Sequence, residues 1–118
     1  MLHSAVEMTA MAVELVCSRL RSIHPEMTVF QLQVFCVVAA MHPKGISQRE
    51  ALTRIGTSEP SHMSRTAAHF SDLGSRGMEP LHLIELYPNP LDRRERLMRL
   101  SPLGVAVWRD FGLYLRRT

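Results

Sequence analysis

The stretch from Leu83 to Gly104 constrains the fold of this chain more than any other, because it reads as two short strands joined by an arginine-tipped turn. The first run, Leu83-Ile84-Glu85-Leu86-Tyr87, is β-branched and aromatic. The connection holds Pro88, Asn89, Pro90 and Asp92, and the second run alternates, with Met98 and Leu100 on one side and Arg99 on the other. Such a hairpin can hold cations out in front of a fold. Arg93, Arg94, Arg96 and Arg99 exceed what a solvated turn requires, although an ordinary charged loop, taken alone, would show the same composition.

The segment before the hairpin has the layout of a helix-turn-helix. Ser47 can cap a helix whose third residue is Glu50, a Ser-x-x-Glu capping box, and Gly56 falls where a helix of roughly three turns would stop. A second start signal follows at once. Thr57 or Ser58 can act as N-cap, Glu59 complements the positive end of the helix dipole, and Pro60 sits in the first turn, where a missing N–H costs nothing. This helix can run to Gly74, with Met63, Ala67, Phe70 and Leu73 forming one apolar stripe. Ser61, His62, Arg65, Thr66 and His69 are then expected on the opposite face, all able to donate hydrogen bonds. A donor-rich face over a narrow apolar seat suits insertion into a DNA major groove, although a generic amphipathic helix shows the same stripe.

Together these pieces resemble the winged helix-turn-helix of the MarR family of transcription regulators. Met27-Thr28-Val29-Phe30-Gln31 is similar to the family's Leu-Thr-x-x-Gln helix opening, and Ser61-His62-Met63-Ser64-Arg65 to its Ser-x-Val-Ser-Arg recognition stretch. Leu83-Ile84-Glu85, Asp92-Arg93-Arg94 and Leu100-Ser101-Pro102-Leu103-Gly104 resemble its Leu-Ile-Glu strand, Asp-x-Arg wing and Leu-Thr-x-x-Gly start of the next helix. Five matches in order across residues 27–104 carry the resemblance. One departure is plain: in the family the recognition helix runs almost straight into the strand, whereas here Gly74 to His82 intervenes, with two glycines and a proline that disfavour a continuous helix. The first and last helices are also short for the family.

Bulk properties fit one small domain. With 118 residues, 46% hydrophobic and 21% charged, the chain can bury one core but not two. A net charge of +3 favours an anionic partner, and Lys44 is the only lysine among the fourteen basic residues. Arginine's planar fork suits phosphate and guanine, and a high-GC genome would enrich it equally. Glu7 and Glu14 interrupt the apolar N-terminal stretch, which makes a poor signal peptide, and the longest apolar run, Val34 to Met41, is too short to span a bilayer. A cytoplasmic location is expected. Cys17 and Cys36 read as reduced core residues; the sharper alternative, a redox-sensing Cys17, comes from the resemblance alone.

Two outer segments, residues 1–24 and 102–118, read as helices too broadly apolar for a single stripe. The reading expects them to build a homodimer, the alternative being that both merely close the monomer core. Enzyme chemistry finds little support. His-Glu-x-x-His, Cys-x-x-Cys, Gly-x-Ser-x-Gly and phosphate-loop patterns are absent, and His62 and His69, two helical turns apart, stand about 10 Å from each other, too far to chelate one ion.

The expectation is therefore a mainly α fold with a small β-hairpin, a winged helix-turn-helix over 28–101 flanked by N- and C-terminal dimerisation helices. The expected function is a homodimeric transcription regulator, a repressor bound to a pseudo-palindromic double-stranded DNA operator, with no cofactor or metal. Ser58, Ser61, His62, Ser64, Arg65, Thr66 and His69 are the recognition-helix candidates; Asp92, Arg93, Arg94 and Arg96 the wing candidates; Gln48 and Arg49 the phosphate contacts. The resemblance implies an effector ligand between the dimer helices and the winged domain, but no residue set names one. Two other readings stay open: a plasmid or phage replication or architectural DNA protein, and a winged-helix module that binds protein.

Overall fold

The computed structural model describes residues 2–116; positions 1, 117 and 118 of the expected terminal helices lie outside the described residues. In chain order the elements are α1 (Leu2–Ile23), α2 (Val29–Ala40), β1 (Ile46–Ser47), α3 (Gln48–Ile55), α4 (Pro60–Phe70), β2 (Ile84–Asn89), β3 (Asp92–Leu100) and α5 (Pro102–Arg116). The fold is mainly helical with one small antiparallel sheet, a winged helix-turn-helix. Contacts divide into two units, one within Thr28–Val105 and one formed by the segments on either side of it.

Within Thr28–Val105, α2 begins on a reciprocal cap. The Gln31 backbone N–H donates to Thr28 Oγ1 at 3.1 Å, and the Thr28 N–H donates to Gln31 Oε1 at 2.8 Å. The Thr-x-x-Gln pattern is thus a capping box, which satisfies two backbone donors that the first helical turn leaves without partners. From there α2 buries Val34, Phe35 and Val38, and Phe35 meets Phe70 of α4 edge-on at 5.7 Å. Each such ring contributes about 1.5–3 kcal/mol by leaving water. Cys36 points away from this core and is exposed, contrary to the core placement expected from its neighbours. Partial desolvation still raises the pKa of its thiol.

Ser47 caps α3 by accepting from the Glu50 N–H at 3.1 Å, and Gly56 ends the helix in the left-handed region at φ 88°. The helix has eight residues, shorter than the three turns expected. Two expected boundaries of α4 also move. Its N-cap is Glu59, without a side-chain hydrogen bond, and Pro60 is the first helical residue. Its end is Phe70 rather than Gly74. The Ser71 hydroxyl donates to the Ala68 carbonyl at 2.9 Å and accepts from the Leu73 N–H at 3.1 Å, a local turn that competes with helix continuation. Leu73 therefore leaves the stripe and is 61% exposed.

Three strands, in the order β1-β3-β2, form the sheet, one more than the expected hairpin. Ile46 pairs with Met98 and Ser47 with Leu97, so the residue that caps α3 also belongs to the sheet edge. Met98 and Leu100 face the core with Leu83 and Ile84, as the alternation predicts. The Leu100 N–H donates to His42 Nδ1 at 3.2 Å, which ties the end of β3 to the turn after α2. Ser101 then starts α5: its hydroxyl donates to the His82 carbonyl at 2.6 Å and accepts from the Gly104 N–H at 3.0 Å.

In the other unit, Arg19 of α1 pairs with Asp110 of α5 at 3.2 Å, and Trp108 meets Phe111 edge-on at 5.0 Å. Among the described side chains of α1, Ala12 and Leu20 are the buried apolar ones. Met8, Met11 and Leu15, spaced i, i+3, i+7, form an exposed apolar stripe on one flank; Val6 and Val13 lie exposed on the other. Cys17 is exposed as well, a second correction to the expected core cysteines. Among the described residues no helix is long and apolar enough to cross a membrane.

Candidate nucleic-acid interface

The wing owes its shape to a jump in register. Along the β2–β3 ladder each residue faces its partner down to Pro88 opposite Arg96, but the next pair is Asn89 with Asp92. Arg93, Arg94 and Glu95 therefore have no partner across the ladder. Pro88 cannot donate to a neighbouring strand, so the ladder is weakened where the bulge begins. Asn89 Oδ1 accepts from the Leu91 N–H at 2.9 Å, and Asp92 Oδ1 accepts from the Arg94 N–H at 3.1 Å. These two side chains fix the tip. The Arg94 guanidinium is 3.6 Å from Asp92 yet almost wholly exposed, so the carboxylate steers it without hiding its charge. Arg93 and Arg96 are exposed too.

Arg99, the fourth arginine of the run, serves the hairpin itself. It pairs with Glu85 at 3.1 Å and lies 4.3 Å over the Tyr87 ring. Tyr87 in turn donates its hydroxyl to the Lys44 carbonyl at 2.8 Å. A Cβ on Gly45 would strike that hydroxyl, and Gly45 has φ 90°, so the turn before β1 requires glycine twice over.

Gln48 and Arg49, at the start of α3, share an open groove of about 480 Å³ with Asp92, Arg94, Glu95 and Arg96. Arg49 reaches to 3.8 Å from Glu95. Three arginines against two carboxylates leave this groove with an excess positive charge beside the wing.

On α4 the candidate residues separate. Ser61, Ser64 and Arg65 are exposed, as is Ser58 just before the helix. His62 is half-buried; its ring stacks on Phe30 at 4.2 Å and its Nδ1 lies 3.9 Å from Glu59. Thr66 and His69 are corrections to the expected outer face, being 3% and 2% exposed. The reason is helical geometry: Thr66 lies three residues from Met63, and His69 three from Thr66 and next to Phe70, whose ring it meets edge-on at 5.9 Å. The buried stripe is thus broader and more polar than hydrophobicity alone implies.

The inserted segment 74–82 is ordered by backbone pairing. The Gly74 N–H donates to the Ala68 carbonyl at 2.9 Å, Leu81 to His69 at 2.9 Å, and Leu83 to Phe70 at 2.8 Å. Between these anchors the chain doubles back along α4, where Ser75 and Arg76 line a second groove with Gln31, His62, Arg65 and Thr66. Neither Gln31 nor Arg76 was singled out from the sequence as a site residue; the Thr28-x-x-Gln31 box was the available signal for the first. Among the described residues no group of three His, Cys, Asp or Glu side chains could hold a metal ion.

No family model and no curated protein matches this sequence. Solved structures do. The PcaV transcriptional regulator from Streptomyces coelicolor, in complex with its natural ligand, is 27% identical with a TM-score of 0.55, over 78% of this chain and 57% of that one. A MarR-family transcriptional regulator from Rhodococcus sp. RHA1 is 22% identical with a TM-score of 0.59, over 98% of this chain and 71% of its own. A MarR mutant from E. coli complexed with operator DNA is 19% identical with a TM-score of 0.58, over 92% and 71%. The chain spans little more than half of PcaV. By fold the chain carries the winged helix-turn-helix of the MarR-family regulators.

Proposed function

We propose that this protein is a cytoplasmic DNA-binding transcription regulator that acts as a homodimeric repressor on a pseudo-palindromic operator. The observation that carries this reading is the wing tip, where Arg93 and Arg94 stand free of the ladder while Asp92 orients Arg94. Ser61, Ser64 and Arg65, exposed on α4, supply base-edge and phosphate donors for the major groove, with Ser58 and His62 at its border. Arg93 and Arg94 suit the adjacent minor groove; Gln48, Arg49 and Arg96 suit the backbone phosphates between. Thr66 and His69, being buried, have no direct part in base reading.

The exposed apolar stripes of α1 support pairing with a second copy, which would set two recognition helices about 34 Å apart, one DNA turn. PcaV's complex with its natural ligand supports an effector as part of the same reading, with its chemistry open.

Fluorescence anisotropy with the duplex upstream of the gene, against a scrambled duplex, tests the proposal. Tight binding that prefers the native duplex, with a log–log salt slope reduced by about one unit in Arg94→Ala, is the expected result. Equal weak binding to both duplexes would move the reading to an architectural protein, and no binding would move it to a protein-interaction module.

A further inference from the structure

We infer that the segment inserted between α4 and β2 builds an additional DNA-phosphate clamp, with Arg76 as its cation; this rests on the DNA-binding reading above. Ser75 and Met78 exchange backbone hydrogen bonds, the Ser75 N–H donating at 3.1 Å and the Met78 N–H at 2.8 Å. Gly77 has φ 76°, so Arg76-Gly77 form the corner of a tight turn with the positive φ at its third residue that a type II turn requires. Gly74, at φ 73°, could not carry a Cβ without pressing on the Met78 carbonyl and the Pro80 ring. Arg76 is therefore presented from a braced corner rather than from a slack loop.

The groove beneath it is equipped for an anion. Arg65 and Arg76 are both exposed, and neither makes an ion pair among the described residues. Thr66 and Gln31 line the same groove at 3% and 8% exposure. The Thr66 hydroxyl has no hydrogen-bond partner among the described residues, and the capping box occupies the Gln31 oxygen, leaving its amide N–H donors unengaged. Both groups open onto the groove with donors that no side chain or backbone atom engages, so an oxygen-rich ligand is the natural complement. The Arg76 guanidinium, a hydroxyl and an amide match the oxygens of a phosphodiester, and Arg65 beside them adds positive charge while its fork stays with the major groove. Because Arg65 and His62 also belong to the recognition helix, the phosphate served is one in the DNA backbone bordering the major groove that α4 enters.

The test measures salt dependence of duplex binding for the full chain, for Arg76→Ala, Arg76→Lys and Arg94→Ala, and the NMR signals of the Gln31 side-chain amide. One phosphate contact corresponds to a slope change of about 0.9 and roughly a fivefold affinity loss near 0.15 M salt. Arg76→Ala should show both, additively with Arg94→Ala; Arg76→Lys should restore the slope; and the Gln31 amide should shift with duplex. An unchanged slope in Arg76→Ala while Arg94→Ala still lowers it would overturn the clamp and leave the DNA-binding reading standing. Failure of the wild-type chain to bind duplex would overturn both. A Gln31 shift with inorganic phosphate but not with duplex would overturn the clamp in favour of a free-anion site.

Discussion

Two glycines in α5 should respond to the same substitution with opposite signs. A Cβ on Gly104 would land on the Leu83 carbonyl oxygen and lie 3.2 Å from the Leu83 carbonyl carbon and 3.3 Å from Leu100 Cδ2. That oxygen already accepts from the Ser101 N–H at 3.0 Å, the bond that fixes where α5 leaves the sheet. Alanine gains about 1 kcal/mol in helix propensity over glycine. Against that, forcing a methyl group into packed backbone costs about 1–3 kcal/mol. Disturbing the Ser101 bond costs about 1 kcal/mol more. Gly104→Ala should thus destabilise by about 1–3 kcal/mol. Gly112→Ala meets nothing within 4 Å and should stabilise by up to about 1 kcal/mol. Urea unfolding followed by circular dichroism, at one fixed protein concentration so that self-association does not enter, reads both. With m near 1–3 kcal/mol per molar, the two midpoints should separate by about 0.3–4 M. A Gly104→Ala midpoint at or above wild type would refute the close approach of α5 to Leu83.

Other perturbations address the remaining parts of the molecule. Ser47→Ala removes a fully buried cap and should cost about 1 kcal/mol in the same unfolding assay, whereas an unchanged midpoint would mean that α3 starts without it. Arg65→Ala should cost about 1–3 kcal/mol of duplex affinity and relax sequence preference in competition binding, and a uniform loss across sequences would make it a phosphate contact only. Met11→Glu, on the exposed stripe of α1 where Met11 is 64% exposed, should halve the mass seen by sedimentation velocity; a wild-type mass for the variant would remove that stripe from the dimer.

Much of the fold was legible because each signal was local. Thr28 with Gln31, Ser47, Gly56 and Pro60 mark helix ends through hydrogen bonds or φ values set within three or four residues. The alternation Met98-Arg99-Leu100 likewise needs only the pleat of one strand. What escaped depends on partners far along the chain. β1 has two residues, too few for any period, and exists because Ile46 and Ser47 reach Met98 and Leu97. Thr66 and His69 looked like surface residues by polarity, yet the stripe is set by what α4 packs against. The expectation of buried cysteines failed for the same reason: apolar sequence neighbours do not fix which face of a helix turns inward. At the candidate interface, the composition of the wing was readable, but the jump in its ladder was not, since it arises from pairing between Asn89 and Asp92 across the turn.

That jump also separates two kinds of evolutionary freedom. Below it, every residue of β3 from Arg96 to Leu100 is counted against β2, so an insertion or deletion would turn Met98 and Leu100 out of the core. Above it, the three residues 93–95 are counted against nothing, and the loop can lengthen, shorten or change its charges while the register beneath is kept. A lineage carrying this hairpin can therefore retune how far its arginines reach, and on the proposed function which DNA it prefers, by small insertions that leave its folding untouched.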